Sequence, residues 1–338
     1  EEYCLEHYPI ALKEIDRTVE EQKDWVKKLQ DGQFGHFSCF DDVEKFVHHP
    51  EHTKIHFDLI PGKTPRKPYR HRCPVHLLEE LKKFHVDMYR RGFIKPITDA
   101  NHLSPVLIVR KPDNADGSSR GYRFVVSMVE INECLQKCNN QLPLGEEMFD
   151  RLKDAKRISC FDLKTGYWLA ELDASTQRLC SFQSEFGAWA YRVLPMGASP
   201  SAGIYSEWVT RIYRRYNVLV GREVFSSLDE EYEKQVNEGS DVSLNREDQR
   251  TTISSIPDEL RYKGDGFLDT FLDDAIVSSL SDEEHRAHIL LFLKINSREN
   301  LPIQFKKCTW FTKYTRFLGI VVGLSLIHIS EPTRPNFI

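Results

Sequence analysis

Gly266-Phe267-Leu268-Asp269-Thr270-Phe271-Leu272-Asp273-Asp274-Ala275-Ile276-Val277-Ser278-Ser279 is the stretch that decides the fold. Asp269 to Ser279 reads as a strand, a tight turn at Leu272 to Asp274, and a second strand from Ala275 to Ser279. Adjacent carboxylates at a strand turn repel, and one takes up a proton unless a cation stands beside them. A divalent cation removes that conflict, and Mg2+ takes hard oxygen ligands. An Asp-Asp pair alone is weak evidence, because most such pairs are solvated turns. Asp269 is a competing carboxylate, but it stands singly before Thr270, so Phe271 to Asp274 is preferred.

Outward from this turn, Ile158 to Asp162 reads as a short buried strand ending in a carboxylate, followed by Tyr167-Trp168. If Asp162 lies on a neighbouring strand end, three carboxylates could hold two ions ~4 Å apart, clamping attacking and leaving oxygens. Leu179 to Gln183 and Ala188 to Val193 predict a hairpin turning at Glu185 to Gly187. Pro195-Met196-Gly197 then leads into a helix from about Ser201 to Tyr213. Upstream, a helix from about Val75 to Arg91 sets Leu77, Leu81, Phe84 and Met88 on one face, and Gly92 stops it. Leu103 to Arg110 and Tyr122 to Val126 form another hairpin, flanked at its loop by Arg110, Lys111, Arg120 and Arg123. Downstream lie a helix from Asp282 to about Ser297 and strands around Ile303 and from Thr315 to Val322. Mixed strands, helices and hairpins predict an α+β fold rather than a doubly wound sheet.

The length of 338 residues suggests two domains, at ~150 residues each. No run approaches the ~18 apolar residues of a membrane-spanning helix, and no cleavable signal pattern opens the sequence. Eight scattered cysteines predict reduced thiols rather than a disulfide or zinc framework. His48, His49 and His52 fall in a Pro-containing loop and read as solvent-exposed. The net charge of −5 hides a division. Lys63 to Arg123 holds fourteen basic and six acidic residues, a net +8, whereas Glu223 to Arg250 holds nine acidic and three basic, a net −6. The basic half could bind phosphate or simply be a solvated face.

The order of these pieces resembles the palm of a reverse transcriptase, most closely that of gypsy-like LTR retrotransposons. The order runs Asp162, Tyr167, Leu194-Pro195-Met196-Gly197, Phe271-Leu272-Asp273-Asp274 and Phe317-Leu318-Gly319. The likeness covers about Lys54 to Gly323, starting with Arg66 to Tyr69, Arg91 to Pro96 and Ser104-Pro105-Val106. It implies right-hand fingers and palm, an antiparallel palm sheet backed by helices, and a thumb largely missing. It implies that Asp162, Asp273 and Asp274 hold two Mg2+ ions (Mn2+ as a substitute), with the Leu163 carbonyl offering a further oxygen. Lys111 and Arg123 match residues that contact the incoming triphosphate, although exposed hairpin charges are the plain alternative. Tyr167 matches the steric gate against a ribose 2′-hydroxyl, with a core aromatic as the plain alternative. Met196 and Gly197 match the turn that approaches the nucleotide, and Phe317, Leu318 and Gly319 match the primer grip. The implied partners are dNTPs, an RNA or DNA template with primer, and the protease, RNase H and integrase of one polyprotein. No membrane is implied, and the implied location is a cytoplasmic virus-like particle or the nucleus.

The chain departs from the pattern in three places. Ala198-Ser199-Pro200-Ser201-Ala202 replaces the usual Asn-Ala-Pro run, Met196 stands where an aromatic is common, and about Val218 to Gly266 reads as an acidic insertion. The expected layout is an upstream linker or helical piece (1–55), fingers with the start of the palm (56–157), palm (158–323) and a non-native tail (324–338). Leu326 to Pro335 reads as a translated sequencing adapter, and the whole reads as a piece of a polyprotein. Two other functions fit more loosely. A viral RNA-templated RNA polymerase shares the palm but is disfavoured by Tyr167 and Phe271. A catalytically dead nucleic-acid-binding remnant is disfavoured by the intact acids.

Overall fold

The computed structural model describes residues 20–312, except 42–44, 47, 50–51, 53, 67–71, 112–120, 138–144, 153, 165 and 221–255. Beyond these it describes 314–317, 320–323 and 326–328. In chain order the strands are β1 (Ile94–Pro96), β2 (Ser104–Arg110), β3 (Tyr122–Val126), β4 (Arg157–Asp162), β5 (Ser181–Ser184) and β6 (Gly187–Tyr191). They continue with β7 (Leu268–Phe271), β8 (Asp274–Ser279), β9 (Thr309–Thr312), β10 (Tyr314–Phe317), β11 (Ile320–Gly323) and β12 (Leu326–His328). The chain forms two compact units, one of residues 42–141 and 165–208, the other of 1–41, 142–164 and 209–338.

The second of these units is built on a four-stranded antiparallel sheet in the order β7-β8-β4-β9. Ala275, Ile276 and Val277 are buried, because both faces of β8 are covered. A strand covered on both sides reads as a continuous apolar run rather than an alternation. On one face, Met148 and Leu152 of the Gly145–Leu152 helix pack with Ile158 and Ile276. On the other lies the Asp282–Arg298 helix, with Phe292 against Phe161 at 4.7 Å. Ser281 caps that helix by accepting the Glu284 N–H at 3.2 Å, and Glu284 accepts the Leu280 N–H at 2.9 Å. Upstream, the helix Glu20–Gln30 packs its Trp25 edge-on to Phe311 at 5.2 Å.

The single strand expected over 315–322 is instead the β10-β11 hairpin, with Phe317 opposite Ile320. Apolar residues on both sides of the connection make two short strands look like one. β12, within the segment expected to be non-native, pairs with β11.

The other unit carries a sheet in the order β1-β6-β5-β2-β3. The helix predicted from Val75 begins as a 3-10 turn at Val75–Leu77 and continues as Leu78–Arg90. Leu77, Leu81 and Met88 are buried as expected, but His85 rather than Phe84 completes the face. His85 donates Nδ1–H to the Leu81 carbonyl at 2.8 Å, which leaves Nε2 to accept from the Ser184 hydroxyl at 3.0 Å. Phe84 stacks on Phe124 with ring centroids 3.9 Å apart. Of the three loop histidines expected to be exposed, His49 and His52 are half-buried. Their rings stack at 4.1 Å, and His52 sits edge-on to Trp208 at 5.0 Å, so aromatic packing draws them in.

Most of the segment read from the sequence as an acidic insertion, residues 221–255, lies outside the described residues. Its two ends are fastened together. The Tyr262 N–H donates to the Tyr216 carbonyl at 2.9 Å, the Asn217 side chain donates to the Tyr262 carbonyl at 2.7 Å, and Leu219 bridges Leu268. Gly266, at φ +86°, sits so close that a Cβ would meet the Leu219 carbonyl oxygen at 2.2 Å. Only glycine fits a left-handed backbone under such an approach.

Candidate active site

Leu163 donates its N–H to the Asp273 carbonyl at 2.7 Å, across the register that sets Asp162 opposite Asp274. Asp162 and Asp274 are therefore a non-hydrogen-bonded antiparallel pair, the kind with Cα atoms ~4.5 Å apart and side chains closest. Asp273 occupies the β7-β8 turn beside them, with its Oδ1 buried. Leu272 precedes it at φ +51°, a left-handed conformation that a leucine adopts only where the surroundings impose it. The three aspartates singled out in the sequence thus converge on one sheet end.

Burial, and next the charge of Asp162, push the Asp274 carboxyl above its usual range, while Lys307 pulls it down. Lys307 places its Nζ 3.1 Å from Asp162 Oδ2. It carries no sequence signal of its own, because 145 residues separate the two. A row of hard carboxylate oxygens under mutual repulsion suits a divalent cation such as Mg2+. The rival Asp269 has another role. It is 5% exposed and its Oδ1 takes Arg151 Nε at 2.9 Å and Nη2 at 2.7 Å, a half-buried ion pair tying the Gly145–Leu152 helix to β7.

The predicted nucleotide-contacting residues Lys111, Arg123, Tyr167, Met196 and Gly197 lie in the other unit. The β2-β3 register pairs Val109 with Arg123, and the Lys111 N–H donates to the Gly121 carbonyl at 2.9 Å. Alternation then sets Lys111 and Arg123 on one face of the hairpin in diagonal positions, both exposed. Tyr167, in the 3-10 turn Gly166–Leu169, stacks on the fully buried Tyr205 at 4.9 Å and 20°. Its ring is therefore fixed while remaining partly open to solvent. Met196 is 57% exposed, and Gly197 has φ +92°.

Asn132, unmarked in the sequence, clamps this turn. Its Nδ2 donates to the Gly197 carbonyl at 2.9 Å, and its Oδ1 accepts the Ser199 N–H at 2.8 Å. Phe317 ends β10, while Leu318 and Gly319 lie outside the described residues.

Residues 109–322 match the family model described as reverse transcriptase (RNA-dependent DNA polymerase). The enzymatic polyprotein of figwort mosaic virus is 24% identical over 245 residues, covering 69% of this chain and 29% of that protein. The retrovirus-related Pol polyprotein from transposon 412 of Drosophila melanogaster is 26% identical over 140 residues, covering 41% of this chain and 11% of that protein. This chain thus spans less than a third of either relative. Among solved structures, the foamy viral protease-reverse transcriptase in complex with an RNA/DNA hybrid superposes with a TM-score of 0.60 at 16% identity. That match covers 93% of this chain and 34% of the other. The native prototype foamy virus enzyme gives 0.59 at 18%, covering 96% and 35%. With its paired aspartates, its palm-like sheet and a family match over more than half its length, this chain belongs to the reverse transcriptase family.

Proposed function

We propose that this chain is the fingers and palm of an RNA-directed DNA polymerase from a retroelement polyprotein of the gypsy-like kind. The reaction is attack of a primer 3′-hydroxyl on the α-phosphate of a dNTP, forming a phosphodiester bond and releasing pyrophosphate. The observation that carries this reading is the facing pair Asp162 and Asp274 with Asp273 in the adjoining turn. Asp162, Asp273, Asp274 and the Leu163 carbonyl would hold two Mg2+ ions, which activate the hydroxyl and stabilise the leaving pyrophosphate when bound. Lys111 and Arg123 neutralise triphosphate charge from one hairpin face. Tyr167, steadied by Tyr205, excludes a 2′-hydroxyl and so selects deoxynucleotides. Met196 and Gly197 present an open turn to the nucleotide and template. Phe317, Leu318 and Gly319 position the primer.

Template, primer, dNTPs and the sister polyprotein domains are the partners of this reading, and a virus-like particle or the nucleus its setting. The layout of fingers, palm and acidic insertion given above belongs to it as well. Primer extension on poly(rA)/oligo(dT) with Mg2+, in a chain extended by a thumb, tests it. Incorporation of dTTP should fall by at least ~100-fold in Asp273→Asn. Tight binding of primer-template without incorporation would favour a non-catalytic remnant.

A further inference from the structure

Lys307 reaches the acids from a segment that backbone pairing locks to the strand of Asp162. Leu163 bridges Ile303, the Lys164 N–H donates to the Pro302 carbonyl at 2.7 Å, and the Gln304 N–H donates to the Asp162 carbonyl at 2.9 Å. The chain then turns through the 3-10 helix Phe305–Lys307, closed by the Lys307 N–H on the Gln304 carbonyl at 2.9 Å. Phe305 packs on Phe40 at 5.1 Å and on Trp310 at 5.2 Å. Trp310 in turn packs edge-on to Phe161, the neighbour of Asp162, at 5.1 Å. The ammonium is therefore delivered to Asp162 Oδ2 by anchored backbone on both sides, although the lysine side chain itself is 57% exposed.

We propose that Lys307 is the built-in counter-ion of the carboxylate row in the metal-free protein, and that an entering divalent cation displaces it from Asp162. This inference rests on the metal-binding role given to the three aspartates above. Asp162 and Asp274 face each other where side chains approach most closely, so the fold brings two negative charges together before any ion arrives. One ammonium offsets part of that repulsion. A divalent ion carries twice the charge and takes several oxygens at once, so it replaces the lysine rather than joining it at the same oxygen. Lys307 is thus a positioning residue that holds the Asp162 side chain ready and sets the ion concentration at which the site fills.

A titration of the full chain with Mn2+, followed by loss of the free-ion EPR signal, separates the outcomes. Lys307→Gln should bind Mn2+ with a midpoint about two- to fivefold lower than wild type, the range an exposed ion pair supports. Lys307→Arg should restore the wild-type midpoint. Lys306→Gln, an exposed neighbour in the same 3-10 turn, should match wild type. In EDTA, Lys307→Gln should also melt below wild type, because the carboxylates lose their counter-charge. A midpoint in Lys307→Gln equal to or above that of wild type would overturn the proposal while leaving the metal site standing. If wild type shows no Mn2+ binding that Asp162→Asn abolishes, the metal-site reading fails and takes this inference with it.

Discussion

Asp274 sets stability against the metal-binding role proposed for it. Its carboxyl is raised by burial first and by the charge of Asp162 second, so its folded-state value lies above its unfolded value. For a carboxylate the sign is then adverse at neutral pH, because the unfolded chain carries the ionised form more readily. With EDTA present, Asp274→Asn should therefore raise the melting temperature at pH 7. A rise of roughly 1–3 °C is the scale expected from relieving one half-buried like-charge contact. The gain should fade as the pH drops into the carboxylate range, where Asp274 is protonated in both states. A lower melting temperature in calorimetry would mean that the carboxylate is a structural partner instead. Asp173 shows the opposite case. It caps the Ala174–Leu179 helix through the Thr176 N–H at 2.7 Å, bonds His56 at 2.6 Å, and is held down at about 2 despite its burial.

Among the elements, the Asp282–Arg298 helix is joined to the sheet by polar contacts that the apolar pattern does not reveal. Ser279 Oγ meets His285 Nδ1 and His288 Nδ1, each at 2.8 Å, and Ser159 Oγ meets His285 Nε2 at 2.7 Å. His288 Nε2 reaches the Tyr262 hydroxyl at 2.9 Å. Burial, with His288 and Arg157 nearby, pushes His285 down to about 3, and burial lowers His288 as well. Both stay neutral in the folded chain while the unfolded chain takes up protons near pH 6.5, so stability is full above that pH and drains as pH falls toward 3. Between pH 7 and 4.5 the free energy of unfolding should fall by roughly 1–3 kcal/mol through this network. Urea melts across that range should show a shallower slope in His285→Gln. An unchanged slope would place the acid sensitivity elsewhere.

For the whole molecule, the acidic segment after Val218 is read from the sequence as an insertion. Its ends are fastened at Tyr216–Tyr262 and Leu219–Leu268, beside the strand that leads into the acid turn. The closure is therefore made by residues outside 221–255, and loop length adds only ~0.6 kcal/mol per doubling. Replacing residues 221–255 with a Gly/Ser connector of about ten residues should leave the melting temperature within ~3 °C of the parent. Loss of the cooperative transition would show that the excised segment contributes to the core.

Strand, turn and helix positions around the acids were legible from sequence, because apolar runs bounded by Gly, Pro and Asp report local geometry directly. Motif order also led to the antiparallel palm sheet and singled out Asp162, Asp273 and Asp274 as candidates, which the fold brings to one sheet end. Sequence could not say that Asp162 faces Asp274 in a non-hydrogen-bonded pair, because register depends on pairing between strands more than a hundred residues apart. Nor could it find Lys307, Asn132 or the Arg151–Asp269 pair. Each of these acts through a partner distant in sequence, and a lone Lys, Asn or Arg carries no periodicity. His85 replacing Phe84 in the core, and His49 and His52 drawn in by stacking, show the same limit. Thus the three aspartates could be picked out from the chain alone, while the charge that balances them came into view only when the fold brought residue 307 back to residue 162.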